Sequence, residues 1–244
     1  MKILRIAFFV LCCSVVFSCK KKDELGNDFV LFEVDPKIEK VSFYWKDTDG
    51  KILKSISRLK HKTERKSEKL KFAMNGGMFS INNIPKGLYI ENFKVLHPID
   101  TLSGKGNFNL QPNGIFYLTK NNEAGIIESK AFTHDSHIKY ATQSGPLLLI
   151  NKKINPIFKK DSKNTNIRNG VGILKNGNII FIMSKDEVNF YNFASVFKDA
   201  GCEKALYLDG FVSRTYYPEK RWIQEDGDFG VMIGVTEPKK LNLK

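Results

Sequence analysis

Cysteine is nearly absent from this chain. Four occur in 244 residues, and Cys12, Cys13 and Cys19 all fall near the start. That leaves Cys202 alone in the body of the protein. One thiol cannot close an internal disulfide, so the body is no stapled scaffold and must stand on an apolar core. Cys202 follows Gly201 at an expected helix end and precedes an apolar strand, the setting of a buried structural thiol. No apolar run reaches the roughly 20 residues of a membrane-spanning helix. Repeats and low-complexity domains are missing as well. Acidic residues are scarce, 26 against 39 Lys and Arg, for a formal net charge of +13. The excess gathers at Lys20, Lys21 and Lys22 and again between Lys51 and Lys71, where the only acids are Glu64 and Glu68. Such clusters suit anionic lipid headgroups or an anionic polymer, and equally a solvated helix face. No nucleic-acid motif occurs, so nucleic acid is not an expected partner.

What is present divides the chain. Lys2 and Arg5 precede an apolar run from Ile6 to Ser18, about 13 residues, the length of a signal-peptide core. The run ends in Val16-Phe17-Ser18-Cys19, which resembles a lipobox. The resemblance implies cleavage before Cys19 and acylation of its sulfur; several acyl chains hold a protein to a membrane where one does not. The expected organisation is a signal peptide over 1–18, a polar tether over 19–28 and one domain over 29–240. The expected location is the cell envelope, outside the cytoplasm, with a lipid anchor. A hydrophobic fraction of 42% with 12% aromatics supplies a sizeable core and argues against disorder.

Runs rich in aromatic and β-branched residues predict strands at Phe29–Val34 and Val41–Trp45. Shorter ones are predicted at Lys71–Met74, Leu88–Ile90, Gly114–Leu118, Pro146–Ile150, Val171–Leu174, Asn178–Met183, Ala205–Leu208 and Val231–Val235. Lys175-Asn176-Gly177 predicts a hairpin between two of these. Ile52, Ile56 and Leu59 predict an exposed helix over Ile52–Lys66. Phe193, Ala194 and Phe197 predict a helix over Tyr191–Ala200, packed through its phenylalanines and ended by Gly201. The expected fold class is α+β: a strand-rich single domain with a few packed helices.

Four clusters join an apolar strand to a glycine turn bearing polar side chains: Met74–Phe79, Gln143–Pro146, Ile167–Gly172 and Leu206–Ser213. Glycine permits positive φ and close backbone approach, and polar groups at strand ends are where sites lie. With Pro85–Leu88 and Asn113–Phe116, they form in order a pattern that resembles the phosphodiester glycosidase family. The family pattern runs Asn-Gly-Gly-aromatic-Phe, Pro-x-Gly-Leu, Asn-Gly-x-Phe, Gln-x-Gly-Pro, Arg-x-x-x-Gly and Leu-Asp-Gly-Gly-x-Ser. Two positions depart from it: Met78 replaces the aromatic residue and Phe211 the second glycine of the last motif. The segment holding Ser213-Arg214 is similar to a bacterial, exopolysaccharide-related branch.

The resemblance implies hydrolysis between a sugar anomeric carbon and a phosphodiester oxygen, through an oxocarbenium-like transition state. A phosphate-linked glycan is then the substrate. Arg168 suits the phosphate, because guanidinium binds phosphate oxygens in a planar fork. Asp209 suits charge stabilisation or general-base work, with Glu91 as a weaker second carboxylate. Asn75, Gln143, Ser144, Asn169, Ser213 and Arg214 are expected to contact substrate, with Gly76, Gly77, Gly145 and Gly210 admitting it to the backbone. Each polar residue also has a plainer role, as a turn or surface residue. No cofactor motif occurs, which leaves the cofactor open, a divalent cation included. His134-Asp135-Ser136-His137 has no third ligand in sequence, so no metal site is assigned. Ser144 is not in a Gly-x-Ser-x-Gly elbow. The other reading of the chain is a non-catalytic glycan-binding lipoprotein in polysaccharide assembly or uptake.

Overall fold

The computed structural model describes residues 27–102 and 104–239. The signal segment, Cys19 and most of the tether lie outside the described residues. The strands in chain order begin with β1 (Phe29–Val34), β2 (Lys40–Tyr44), β3 (Glu68–Asn75), β4 (Tyr89–Glu91) and β5 (Lys94–His97). There follow β6 (Gly114–Thr119), β7 (Ala124–Glu128), β8 (Ile138–Ser144), β9 (Leu147–Ile150), β10 (Lys153–Ile154) and β11 (Asn169–Leu174). The last are β12 (Ile179–Ser184), β13 (Cys202–Asp209), β14 (Thr215–Tyr217), β15 (Trp222–Ile223) and β16 (Met232–Pro238). They pair into three sheets, ordered β1-β12-β11-β13-β9-β10, β15-β14-β3-β16-β2 and β5-β4-β8-β6-β7. Every pairing within them is antiparallel.

One aromatic core lies where the sheets meet. Phe181 from the first sheet, Phe72 and Phe43 from the second, and Phe116 and Tyr140 from the third are all buried in one cluster. Phe72 stacks on Phe181 at 5.3 Å, and Phe43 on Tyr140 at 5.3 Å. Burial of such rings supplies most of the driving force and cross-links the sheets.

The described residues form two α-helices, α1 (Ile56–Glu64) and α2 (Phe190–Asp199). The α+β expectation is therefore only loosely met: the fold is mostly β, with helices as covers. Helix α1 is shorter than expected. Ile52 bridges to Lys46 in extended pairing, and Ser55 caps the helix by accepting from the Arg58 N–H at 3.3 Å. Ile56 and Leu59 then bury against Leu70 and Met232 of the second sheet. Helix α2 starts at Asn189, whose side chain accepts from the Asn192 N–H at 2.9 Å. Its Phe193 and Phe197 pack fully buried on the first sheet, with Cys202 beneath them. The Lys175–Gly177 hairpin joins β11 to β12, with Gly177 at φ 87°.

Candidate active site

Strands β11 and β13 end together. Asn169 pairs with Asp209, while Gly170 pairs with Tyr207. Strand β13 thus carries one extra residue, Leu208, a bulge that resets the alternation. Tyr207 packs on the helix-facing side with Phe190 and Phe193. By plain alternation Asp209 would share that side; the bulge turns it to lie opposite Asn169 instead.

Asn75, at the end of β3 in the second sheet, meets both. Its amide donates to Asp209 Oδ2 at 3.0 Å. Asn169 Nδ2 donates to Asn75 Oδ1 at 2.7 Å and to Asn75 O at 3.1 Å. The Arg214 N–H also donates to Asn75 Oδ1, at 3.0 Å. This backbone donor fixes which way the Asn75 amide faces, and so which way Asn169 faces. Asn75 and Asn169 are completely buried, and Asp209 is half-buried. Among the described residues, Asn169 Oδ1 has no hydrogen-bond partner. A buried acceptor left unmet is costly in a folded protein and suits a hydroxyl ligand.

Burial pushes the Asp209 carboxyl up to about 6, against the Gly210 N–H and the Asn75 amide, which favour the anion. The Gly210 N–H donates to Asp209 Oδ1 at 2.8 Å. A methyl group at Gly210 would stand 2.3 Å from the Tyr207 hydroxyl, so the buried tyrosine would have to move to admit it. Gly76 and Gly77 are required in the same way, by close approach to Ile233 and Thr142.

Other expected site residues are placed differently. Arg168 is fully buried on the helix side, not presented as a fork to solvent. Its guanidinium lies 3.7 Å over the Phe190 ring. It donates to Val188 O at 2.7 Å, Asn164 O at 3.0 Å and the Tyr207 hydroxyl at 3.4 Å. Burial lowers its pKa, partly offset by Tyr207. Neighbouring Asn169 faces Asn75, whereas Arg168, the expected phosphate holder, faces α2. Gln143 is spent inside the fold. Its Oε1 accepts from the N–H groups of Leu88 and Asp100, both at 2.9 Å, and its Nε2 donates to Asp100 O and to Ser129 Oγ. Ser144 Oγ donates to Leu208 O at 2.7 Å, a tie between the first and third sheets. A methyl group at Gly145 would stand 2.5 Å from Asn113 Cβ, which makes this glycine a packing requirement too. Ser213 Oγ donates to Gly210 O at 2.5 Å and closes a turn.

Glu91 belongs to another cluster. It accepts from the Tyr89 hydroxyl at 2.6 Å, burial raises its pKa, and Lys62 opposes that rise. It shares no bonded partner with Asp209. His137 and Asp135 form an exposed pair at 2.6 Å, and no trio of metal-ligating residues occurs among the described residues. Two relevant residues escaped the sequence reading. Tyr207 links Arg168 to the Gly210 turn; an aromatic two residues before Asp209 was its signal. Asp226 engages Arg214 Nε at 2.9 Å, and nothing in sequence marks that pair.

Comparison with known proteins follows this geometry. Residues 68–236 match the family model for phosphodiester glycosidases. The Escherichia coli (strain K12) protein YigE, itself uncharacterized, is 38% identical over 186 residues, covering 76% of this chain and 72% of YigE. The fold is similar to the zebrafish N-acetylglucosamine-1-phosphodiester alpha-N-acetylglucosaminidase catalytic domain auto-inhibited by its pro-peptide. That match has a TM-score of 0.60 at 16% identity, over 85% of this chain and 76% of that one. A hypothetical protein from Synechocystis matches with a TM-score of 0.51 at 12% identity, over 85% of this chain and 59% of that one. At these identities the solved structures establish the fold.

Proposed function

The chain belongs to the phosphodiester glycosidase family, and from that premise we propose that it hydrolyses sugar-1-phosphodiester linkages in cell-surface or environmental glycans, with Asp209 as the reacting carboxylate. The observation that carries this reading is the 3.0 Å bond between Asn75 and Asp209, which joins two motif segments 134 residues apart. A carboxylate with a pKa near 6 ionises just below neutral pH, the range where a general base works best. Ionised Asp209 takes a proton from the water that attacks the anomeric carbon, while the bond to the phosphate oxygen breaks. The phosphate leaves as a monoester and needs little protonation. Asn75 and Gly210 hold the carboxylate in place, and Asn169 Oδ1 accepts from a substrate hydroxyl. Arg214 takes the role of anion holder. It is half-buried, its backbone bonds Asn75, and its guanidinium is held by the more exposed Asp226.

The full chain, assayed on a panel of glycosyl-1-phosphodiesters, tests this. Hydrolysis should rise as pH passes about 6 and then level off. Asp209→Asn should lower kcat by about 10²–10⁴-fold, the range of acid–base groups. Arg214→Ala should raise KM. Full activity in folded Asp209→Asn protein removes the proposed carboxylate.

A second reading, binding of glycans without cleavage, draws support from the burial of Arg168, whose guanidinium donates to Val188 O and Asn164 O inside the fold. It predicts saturable glycan binding with no turnover in the same panel. In either reading we place the protein in the cell envelope, anchored through Cys19, on the strength of the Val16–Cys19 segment.

A further inference from the structure

Phe211 stands 82% exposed, two residues after the Asp209 carboxylate. An isolated exposed phenylalanine is ordinary on a protein surface. This one is presented by a turn that is fixed on every side. The Ser213 N–H donates to Gly210 O at 2.7 Å and the Ser213 hydroxyl donates to the same oxygen, closing a β-turn with Phe211 and Val212 at its centre. Gly210 is buried and leaves no room for a side chain beside the Tyr207 hydroxyl, Val212 packs on the cluster around Leu53 and Met232, and Ser213 is buried. The ring is thus held out while its neighbours are locked in.

The same turn carries the chemistry. Its first residue, Gly210, donates its N–H to Asp209, and Arg214 follows directly after its last residue. An apolar ring, a carboxylate and a cation therefore sit within six consecutive positions. A glycosyl phosphodiester has the matching parts: an apolar C–H face on the sugar, a reacting carbon and an anion. The pattern that the chain resembles has glycine where this chain has Phe211, so the ring is a departure from it.

Resting on the reading of Asp209 as a glycosyl-phosphodiester site, we infer that Phe211 is a platform on which the sugar ring of the substrate packs, and that it sets sugar preference. A ring on a backbone already held by the turn costs less ordering on binding than one on a loose loop, so more of the apolar area it covers goes into affinity.

The test reads binding rather than turnover. The full chain, Phe211→Ala and Phe211→Trp are titrated with N-acetylglucosamine 1-phosphate, glucose 1-phosphate and inorganic phosphate. Phe211→Ala should bind at least one sugar phosphate about tenfold more weakly than wild type, by calorimetry, with inorganic phosphate affinity and thermal midpoint unchanged. Phe211→Trp should keep the affinity and shift its emission with the sugar phosphates, not with inorganic phosphate. Equal affinity of wild type and Phe211→Ala for every sugar phosphate overturns the inference. So does an equal loss for inorganic phosphate, or no sugar-phosphate binding by wild type. A protein that binds through Phe211 and never cleaves keeps this inference and sinks the hydrolase reading. One that cleaves with the same KM after Phe211→Ala does the reverse.

Discussion

At Asp209, burial and hydrogen bonding pull in opposite directions, and burial prevails. Its carboxyl ionises near 6 in the folded protein against an ordinary 3.8. The folded state therefore binds this proton more tightly than the unfolded state does. Relative to Asp209→Asn, the wild type should be most stable below about pH 4 and should lose that advantage as pH rises through about 6. Denaturant midpoints of the two proteins across that window check it; a difference that stays flat with pH would contradict the raised value. Arg168 gives a second expectation. Arg168→Leu strips the donors from Val188 O and Asn164 O, so it should cost stability, roughly 1–3 kcal/mol in a thermal or denaturant melt. Lost activity at full stability would instead return the guanidinium to the substrate. The motifs single out Asp209 and Asn75, and the structure joins them by a hydrogen bond. The direction of Arg168 was not legible in the sequence. The expected strand began at Val171, whereas β11 begins at Asn169. Without that start, neither side of the sheet could be assigned to 168 and 169. The Leu208 bulge left no mark in the sequence at all.

Among the elements, α2 was the most legible, because Phe193, Ala194 and Phe197 fall on one helical face and all three are buried. Phe197→Ala should cost roughly 3–5 kcal/mol, as a large ring removed from a close-packed site. A change under 1 kcal/mol in denaturant unfolding would mean that the helix packs some other way. Strand β8 shows why part of the fold was hidden. Its sequence, IKYATQS, holds Thr142, Gln143 and Ser144, and all three are buried. Internal partners satisfy Gln143 and Ser144, so polarity there reports bonding rather than exposure. Strand β5 failed for the opposite reason: Val95 and Leu96 are exposed on a sheet edge, where no alternation of apolar and polar residues develops.

For the whole molecule, the anchor is the first matter. If Cys19 holds the protein to a membrane, Cys19→Ser should move it to the soluble fraction or leave the precursor uncut. An acylated, membrane-bound Cys19→Ser product would assign the anchor elsewhere. A second matter follows from sheet order. Strand β16, over residues 232–238, lies between β3 and β2 and pairs with both. Strands β2 and β3 are consecutive in the chain, yet they do not pair with each other; β16, far along the sequence, lies between them. The sheet that supplies Asn75 therefore cannot join β3 to β2 until residues 232–238 have been made. The third sheet draws all its strands from residues 89–144 and can form locally, whereas the second must close long loops, which slows its formation. An emerging chain can therefore pair its third sheet while Asn75 still lacks the strand that will lie beside it.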